Sequence, residues 1–307
     1  MRNAATPQGD LRPDKASRPC GLHGTSVRPE LPEEALVRRL AARALAEDLG
    51  SGDVTTDAVC PSPIPSQARI LAKQAGVLCG MPVAAEVFRQ VEPALAWHPL
   101  AADGSPVASG QVLAEIHGDQ RALLKAERTA LNFLQHLSGI ATLTTRYVAA
   151  ISDLECVIMD TRKTIPGLRL LEKYAVACGG GCNHRYGLYD QVLIKENHIR
   201  AAGSIANAVS AVRHRWGRTL RVEVETESLA DVRAALAAGA DIIMLDDMSL
   251  ADMRAAVVLV AGRVPLEASG SIRLDHVRRV AETGVARISV GALTHSAPAL
   301  DLALYFA

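Results

Sequence analysis

The feature that most constrains this chain is a change of rhythm after Asp153. From there, short apolar runs alternate with amphipathic helical stretches: "CVIMDT", "QVLIKE", "LRVEVE", "DIIMLD", "PLEAS" and "RISVGA". The runs close on Asp160, Lys195, Glu225, Asp246, Ser269 and Gly291, at intervals of 35, 30, 21, 23 and 22 residues. An interval of that size holds one strand and one helix, the βα unit of a parallel sheet or barrel. Strands covered on both faces read as continuous apolar runs, and these do. Six strands are fewer than the eight of a full barrel. The expectation is therefore an incomplete parallel α/β barrel over residues 139–295, with room for a seventh strand near the helix that precedes it.

Upstream the pattern differs. "PEEALVRRLAARALAEDLG" is a helix with Leu36, Leu40, Ala44 and Leu45 on one face, stopped by Gly50. "SGDVTTDAV" reads as a turn-rich connector, and "MPVAAEVFRQV" as a helix. Three strand-like runs are punctuated by Gly76, Gly104 and Gly110. A long helix spans "RALLKAERTALNFLQHLSGIATLTTRYVAAI", with a break expected near Gly139. Residues 31–138 thus form an N-terminal α/β domain with a small antiparallel sheet. Residues 1–30 are polar and bear Pro and Gly, as a loose tail does. The closing "SAPALDLALYFA", residues 296–307, reads as a last helix packing back on the first domain.

Several function classes are excluded by composition. Lys plus Arg equals Asp plus Glu, 33 each, so the basic excess of a general nucleic-acid surface is missing. Aromatics are 3%, too few for base-stacking platforms. No run is long enough to span a bilayer, and no apolar leader is apparent. The expected location is cytoplasmic. The six cysteines form no CxxC pair and read as thiols of a reducing compartment.

Against that neutral background one segment stands out. "MDTRKTIPGLRLLEKYAVACGGGCNHRYGLYDQVLIKENHI" gathers Arg162, Lys163, Arg169, Lys173, His184, Arg185 and Lys195, which points to an anion. Active sites of βα barrels lie at the strand C-termini, and these ends carry charge: Asp160 to Lys163, Lys195, Glu223 and Glu225, Asp246 and Asp247. Glu225 and Asp246 close neighbouring strands and suit Mg²⁺, which takes one or two carboxylates plus substrate phosphates. Each could instead be a helix cap or a surface charge. Ser269, Gly270 and Ser271 lie between strand and helix, where backbone N–H groups and a helix N-terminus can face a phosphate; an ordinary N-cap by Ser271 is the plainer reading. Gly291 permits a second close backbone approach. Lys195 is either a Schiff-base lysine or a plain cation. Arg128, alone on its helix, is by itself a solvated or locally paired charge.

"AERTALNFLQHLSGIAT", the cationic segment above, "LEASGSI" and "VGALTHS" together resemble the quinolinate phosphoribosyltransferase family, from about the first helix to the last. The resemblance implies an N-terminal α/β sandwich followed by an incomplete α/β barrel, and a homodimer whose sites are completed by the partner. It implies that quinolinate and 5-phosphoribosyl 1-pyrophosphate are joined with Mg²⁺, giving nicotinate mononucleotide, pyrophosphate and CO₂. Arg128, supplied in trans, with Arg162, Lys163, His184, Arg185 and Lys195, would hold the quinolinate carboxylates and nearby phosphate. Glu225 and Asp246 would hold ribose hydroxyls and metal; Ser269, Gly270 and Gly291 would hold the 5-phosphate. Lys163, Lys195, Glu225 and Asp246 are the residues expected at the chemistry. The rivals are a same-fold relative taking another ring, such as nicotinate phosphoribosyltransferase, a Schiff-base aldolase using Lys195, and a non-catalytic anion binder.

Overall fold

Local signals explain the first elements. Helix α1 (Glu34–Leu49) ends at Gly50, whose φ of 51° costs glycine little. Its buried stripe is Val37, Ala41 and Leu45, one residue round from the expected face. The computed structural model describes residues 30–307, so the expected tail lies outside the described residues apart from Glu30. The stretch read as a connector contains α2 (Val54–Val59), begun by Asp53, whose carboxylate accepts from the Thr55 and Thr56 amides at 3.1 and 2.9 Å.

The N-terminal domain continues through β1 (Pro65–Ala72), β2 (Gly76–Val77), α3 (Met81–Val91), β3 (Ala96–Pro99), β4 (Pro106–Val107) and β5 (Val112–Asp119). The long α4 (Gln120–Ala150) then runs unbroken through Gly139. Glycine is needed there for a different reason than a break. A Cβ at Gly139 would lie 2.2 Å from the carbonyl oxygen of Pro298, so the C-terminal segment crosses the helix where no side chain stands.

The second half alternates as the apolar runs require: β6 (Val157–Met159), α5 (Arg169–Cys178), β7 (Val192–Ile194), α6 (Glu196–Ala202), α7 (Ile205–Trp216), β8 (Val222–Thr226), α8 (Leu229–Ala237), β9 (Ile242–Asp246), α9 (Leu250–Val260), β10 (Leu266–Ser269), α10 (Val277–Ala281), β11 (Arg287–Ser289) and α11 (Ala292–His295). The six strands are parallel in the order β6-β11-β10-β9-β8-β7. Among the described residues no seventh strand joins this sheet. Its edges are β6 and β7, and a lone bridge from Met159 to Cys182 lies beside β6. The barrel is incomplete, as its strand count implied.

The expected last helix is instead a strand. β12 (Leu302–Phe306) pairs antiparallel with β1, in the sheet β12-β1-β5-β3. Period two decides it: Leu302 and Leu304 are buried while Tyr305 faces out. The segment does pack on the first domain, but by backbone pairing, which stitches the chain's end to its beginning. Cys60, Cys79, Cys156 and Cys178 are free thiols; Cys182 is disulfide-bonded and departs from the all-thiol expectation.

Candidate active site

The site is assembled from strand ends, and a buried ion pair sets its geometry. Asp160 follows β6 and Lys173 lies on α5; both are fully buried. Lys173 Nζ donates to Asp160 Oδ1 at 2.5 Å and to the His184 carbonyl at 2.9 Å. Asp160 also accepts from Asn183 Nδ2 at 2.6 Å and from the His184 amide at 2.8 Å. Burial pushes Asp160 up and Lys173 down, each toward its neutral form, and their mutual contact opposes both shifts. The remaining bonds satisfy what the pair alone would leave exposed to an apolar interior.

Helix α5 staples two loops together. Arg169 donates from Nε to Thr164 Oγ1 and from Nη1 to the Tyr186 carbonyl, both at 3.0 Å. Glu172, also fully buried, accepts from the Ile165 amide at 3.2 Å and contacts His136 Nε2 at 2.8 Å. The cationic segment therefore divides into two sets. Arg169 and Lys173 are committed internally, holding the 161–168 loop against the 183–191 loop. Arg162, Lys163, Arg185 and Lys195 are left to face the mouth.

Those four are not neutralised alike. Arg162 Nε is buried and, among the described residues, has no hydrogen-bond partner. Arg185 donates from Nη1 to the Gln191 carbonyl at 3.2 Å, and burial together with the nearby Arg162 lowers its pKa. Two guanidiniums held close, one with an idle donor, form a cradle for an anion. Lys163 is exposed and threads past Gly291, where a Cβ would stand 2.9 Å from its Cδ. Its carbonyl accepts from Thr294 Oγ1 at 2.7 Å, so Thr294 fastens this loop and does not cap a last helix. Lys195 is paired with Glu225 and remains 47% exposed, unlike the desolvated amine a Schiff base needs.

The opposite side of the mouth is acidic. Glu225 is the last residue but one of β8 and Asp246 ends β9, on hydrogen-bonded neighbouring strands. Next to them the Ser269–Gly270–Ser271 turn is tight. Gly270 has φ 93°, and a Cβ there would fall 2.2 Å from Asp247 Oδ1. Ser271 caps no helix, because α10 begins only at Val277. A phosphate here would meet loop amides, and the helix N-terminus expected at that point is not part of it.

Arg128 stands apart on α4, 60% exposed, with a 4.0 Å contact to Glu127. His184 is buried beneath the mouth. Its Nε2 lies 3.1 Å from Glu223 Oε2 and 3.4 Å from Glu267 Oε1, both glutamates being fully buried. Burial works against charge on this ring, but Glu267 and Glu223 outweigh it and push the pKa up to about 10. The Arg185 amide approaches Nδ1 at 2.7 Å and disfavours a second ring proton there. Nε2 carries a proton in either state. Sequence reasoning missed the structural roles of Asp160, Lys173, Asn183, Glu223 and Glu267; for Glu223 and Glu267 the signal available was a carboxylate inside an otherwise apolar strand.

Comparisons with known proteins cover both halves of the chain. Residues 53–138 match the family model described as quinolinate phosphoribosyl transferase, N-terminal domain, and residues 140–305 match its C-terminal domain. A Synechocystis protein called probable nicotinate-nucleotide pyrophosphorylase [carboxylating] is 45% identical over 263 residues, covering 85% of this chain and 89% of its own length. A Bacillus subtilis protein of the same description is 42% identical, covering 87% and 92%. The solved nicotinate-nucleotide pyrophosphorylase of Francisella tularensis superposes with a TM-score of 0.88 at 43% identity, covering 92% of this chain and all of that one.

The buried pair generates a stability prediction. Lys173→Met strands a carboxylate in the interior and should lower the unfolding free energy by about 3–5 kcal/mol in urea titrations. Asp160→Asn combined with Lys173→Met should lose clearly less than the two single changes together. Strict additivity would mean that the two side chains act independently.

Proposed function

The chain belongs to the quinolinate phosphoribosyltransferase family, and from that premise we propose how its site performs the reaction. It is a pentosyltransferase of NAD biosynthesis, transferring phosphoribosyl from 5-phosphoribosyl 1-pyrophosphate to quinolinate. The products are nicotinate mononucleotide, pyrophosphate and CO₂. The observation that carries the reading is the pairing of Arg162 and Arg185 beneath a mouth whose far side holds Glu225 and Asp246. One side suits a dicarboxylate, the other a ribose and a cation.

In this reading Arg162, Lys163, Arg185 and Lys195, with His184 behind them, bind the quinolinate carboxylates and nearby phosphate. The Ser269–Gly270 turn and Gly291 take the 5-phosphate through backbone amides. Glu225 and Asp246 face the ribose hydroxyls. The ring nitrogen then forms its bond to C1′ while the C1′–oxygen bond to pyrophosphate breaks and its electron pair leaves with the pyrophosphate. No protein nucleophile is required; the chain supplies orientation and a fixed field for the separating charges. The carboxylate at C2 next departs as CO₂, its bonding electrons stabilised by the adjacent pyridinium before C2 is protonated.

Glu225 and Asp246 also fit a divalent cation of a particular kind. Both are hard oxygen donors, and among the described residues neither belongs to a cluster of three ligating groups. Such a pair suits Mg²⁺ that completes its shell with substrate phosphate oxygens and water. When bound, Mg²⁺ supplies neutralisation of the pyrophosphate leaving group. A homodimer completes the reading. Arg128 is exposed and weakly held in its own chain, and Leu188 and Tyr189, near Arg185, are 74% and 75% exposed. A partner subunit that covers this face receives Arg128. The location remains cytoplasmic in this account, and no described helix is long and apolar enough to cross a membrane.

The direct test supplies quinolinate, 5-phosphoribosyl 1-pyrophosphate and Mg²⁺, and follows nicotinate mononucleotide and CO₂. Both should appear in equal amounts, and absence of CO₂ would leave only an anion binder. Glu225→Ala and Asp246→Ala should weaken the ribosyl donor and the Mg²⁺ response more than quinolinate binding. Titration of each ligand against each variant checks this, and unchanged metal dependence would make the pair structural.

Arg128→Ala should weaken quinolinate by about one to two decades, the loss of a charge-assisted contact of ~1.5–3 kcal/mol. Mixed under subunit exchange with Lys195→Ala, it should regain about a quarter of the normal rate, since half the dimers mix and each mixed dimer keeps one intact site. Demonstrated exchange without recovery would place Arg128 in its own chain's site.

A further inference from the structure

Beneath the cationic mouth the barrel interior is unexpectedly acidic. Glu223 on β8 and Glu267 on β10 are both fully buried. Among the described residues, Glu223 Oε1 and both oxygens of Glu267 have no hydrogen-bond partner. Leaving a carboxylate so placed is costly, and an apolar residue would fill a barrel interior more cheaply. The nearest counter-group to Glu267 is the His184 ring, at 3.4 Å. Burial raises the Glu223 pKa, and Glu267 raises it further; for Glu267, burial is outweighed by His184 and its pKa is lowered.

These contacts close a circuit. Glu223 Oε2 accepts from Gln191 Nε2 at 2.7 Å. The Gln191 carbonyl accepts from Arg185 Nη1 at 3.2 Å, and the Arg185 amide meets His184 Nδ1 at 2.7 Å. His184 Nε2 returns to Glu223 at 3.1 Å. Arg185 is therefore held at both backbone and guanidinium by a loop that passes through the ring, and among the described residues the ring's polar contacts are the two glutamates and the Arg185 amide. We propose that Glu267 is a positioning residue for the acid-binding pocket: with Glu223 it keeps a proton on His184 Nε2 and fixes the ring under Arg185, so that the guanidinium is in place before the substrate arrives. The inference rests on the reading of Arg185 as a quinolinate cation.

Other charges around the ring do not supply this anchor. Asp160 from β6 holds the His184 amide and Lys173 from α5 holds its carbonyl, so both act on backbone. Arg185 and, beside it, Arg162 are cations and cannot retain a ring proton. Arg287 on β11 acts on the glutamates. His184, Glu223 and Glu267 also have metal-ligand spacing. The Arg185 amide at Nδ1 leaves the ring proton on Nε2, the atom a metal would need, which favours the positioning role.

The test reads the ring directly. Long-range ¹H–¹⁵N spectra of histidine-labelled protein, with His184 assigned by its loss in His184→Gln, should show Nε2 protonated from about pH 6 to 9, without the transition near 6.5 of a free imidazole. In Glu267→Gln part of the Nε2 proton signal should be lost as the other ring tautomer becomes populated. Quinolinate affinity should fall about tenfold while that of 5-phosphoribosyl 1-pyrophosphate stays within about twofold, as displacement of one cation predicts. A ring titrating near 6.5 in the unsubstituted protein, an unprotonated Nε2, or a Glu267→Gln protein weakened equally for both ligands would overturn the proposal. The first two readouts are made on the unsubstituted protein and do not depend on Glu267→Gln folding. They stand even if quinolinate is not the acid bound, so failure of the functional reading would be seen separately.

Discussion

Everything at the mouth of this barrel depends on one buried ion pair, Asp160 with Lys173. Asp160 sits where β6 ends and Lys173 projects from the helix that follows. Two charges removed from water stabilise a fold only when every remaining lone pair and proton is met. Asn183 and the backbone of His184 meet them here. That requirement joins the loop bearing Arg162 and Lys163 to the loop bearing His184 and Arg185, at the open side of an incomplete sheet where the backbone adds only the short bridge from Met159 to Cys182.

The arrangement explains how a neutral chain maintains a strongly cationic site. Arg162 and Arg185 repel each other, and burial increases that repulsion. A flexible pair would relax apart into solvent. Here each is carried by a loop pinned from below, and the acidic residues Glu223 and Glu267 lie one layer deeper. The mouth is thus arranged for its anions in advance, and the energy of holding like charges together is met by folding. That is the condition under which electrostatic contacts accelerate a reaction instead of rearranging during it.

Much of this was legible in the sequence. The six barrel strands were visible because strands buried on both faces leave continuous apolar runs, and the polar residues closing them mark the mouth. Three features were less legible. The end of the chain was read as a helix although Leu300, Leu302 and Leu304 alternate; the run is short, and the pairing with β1 that completes the strand is not local. Gly139 was read as a helix break, whereas it clears space for the Pro298 carbonyl, 159 residues further along the chain, a purpose no local signal reveals. Lys173 and Arg169 looked like site cations, because composition does not distinguish a charge facing substrate from one facing a buried carboxylate.

The claim at the centre of this account is that the cations at the mouth form a site for two carboxylates on one ring. Calorimetric titration of the protein with quinolinate and, separately, with nicotinate measures that claim most directly. The account predicts that quinolinate binds at least about tenfold more tightly, the worth of one further charge-assisted contact, and that added salt erodes the difference. Equal affinity for the two acids would contradict it.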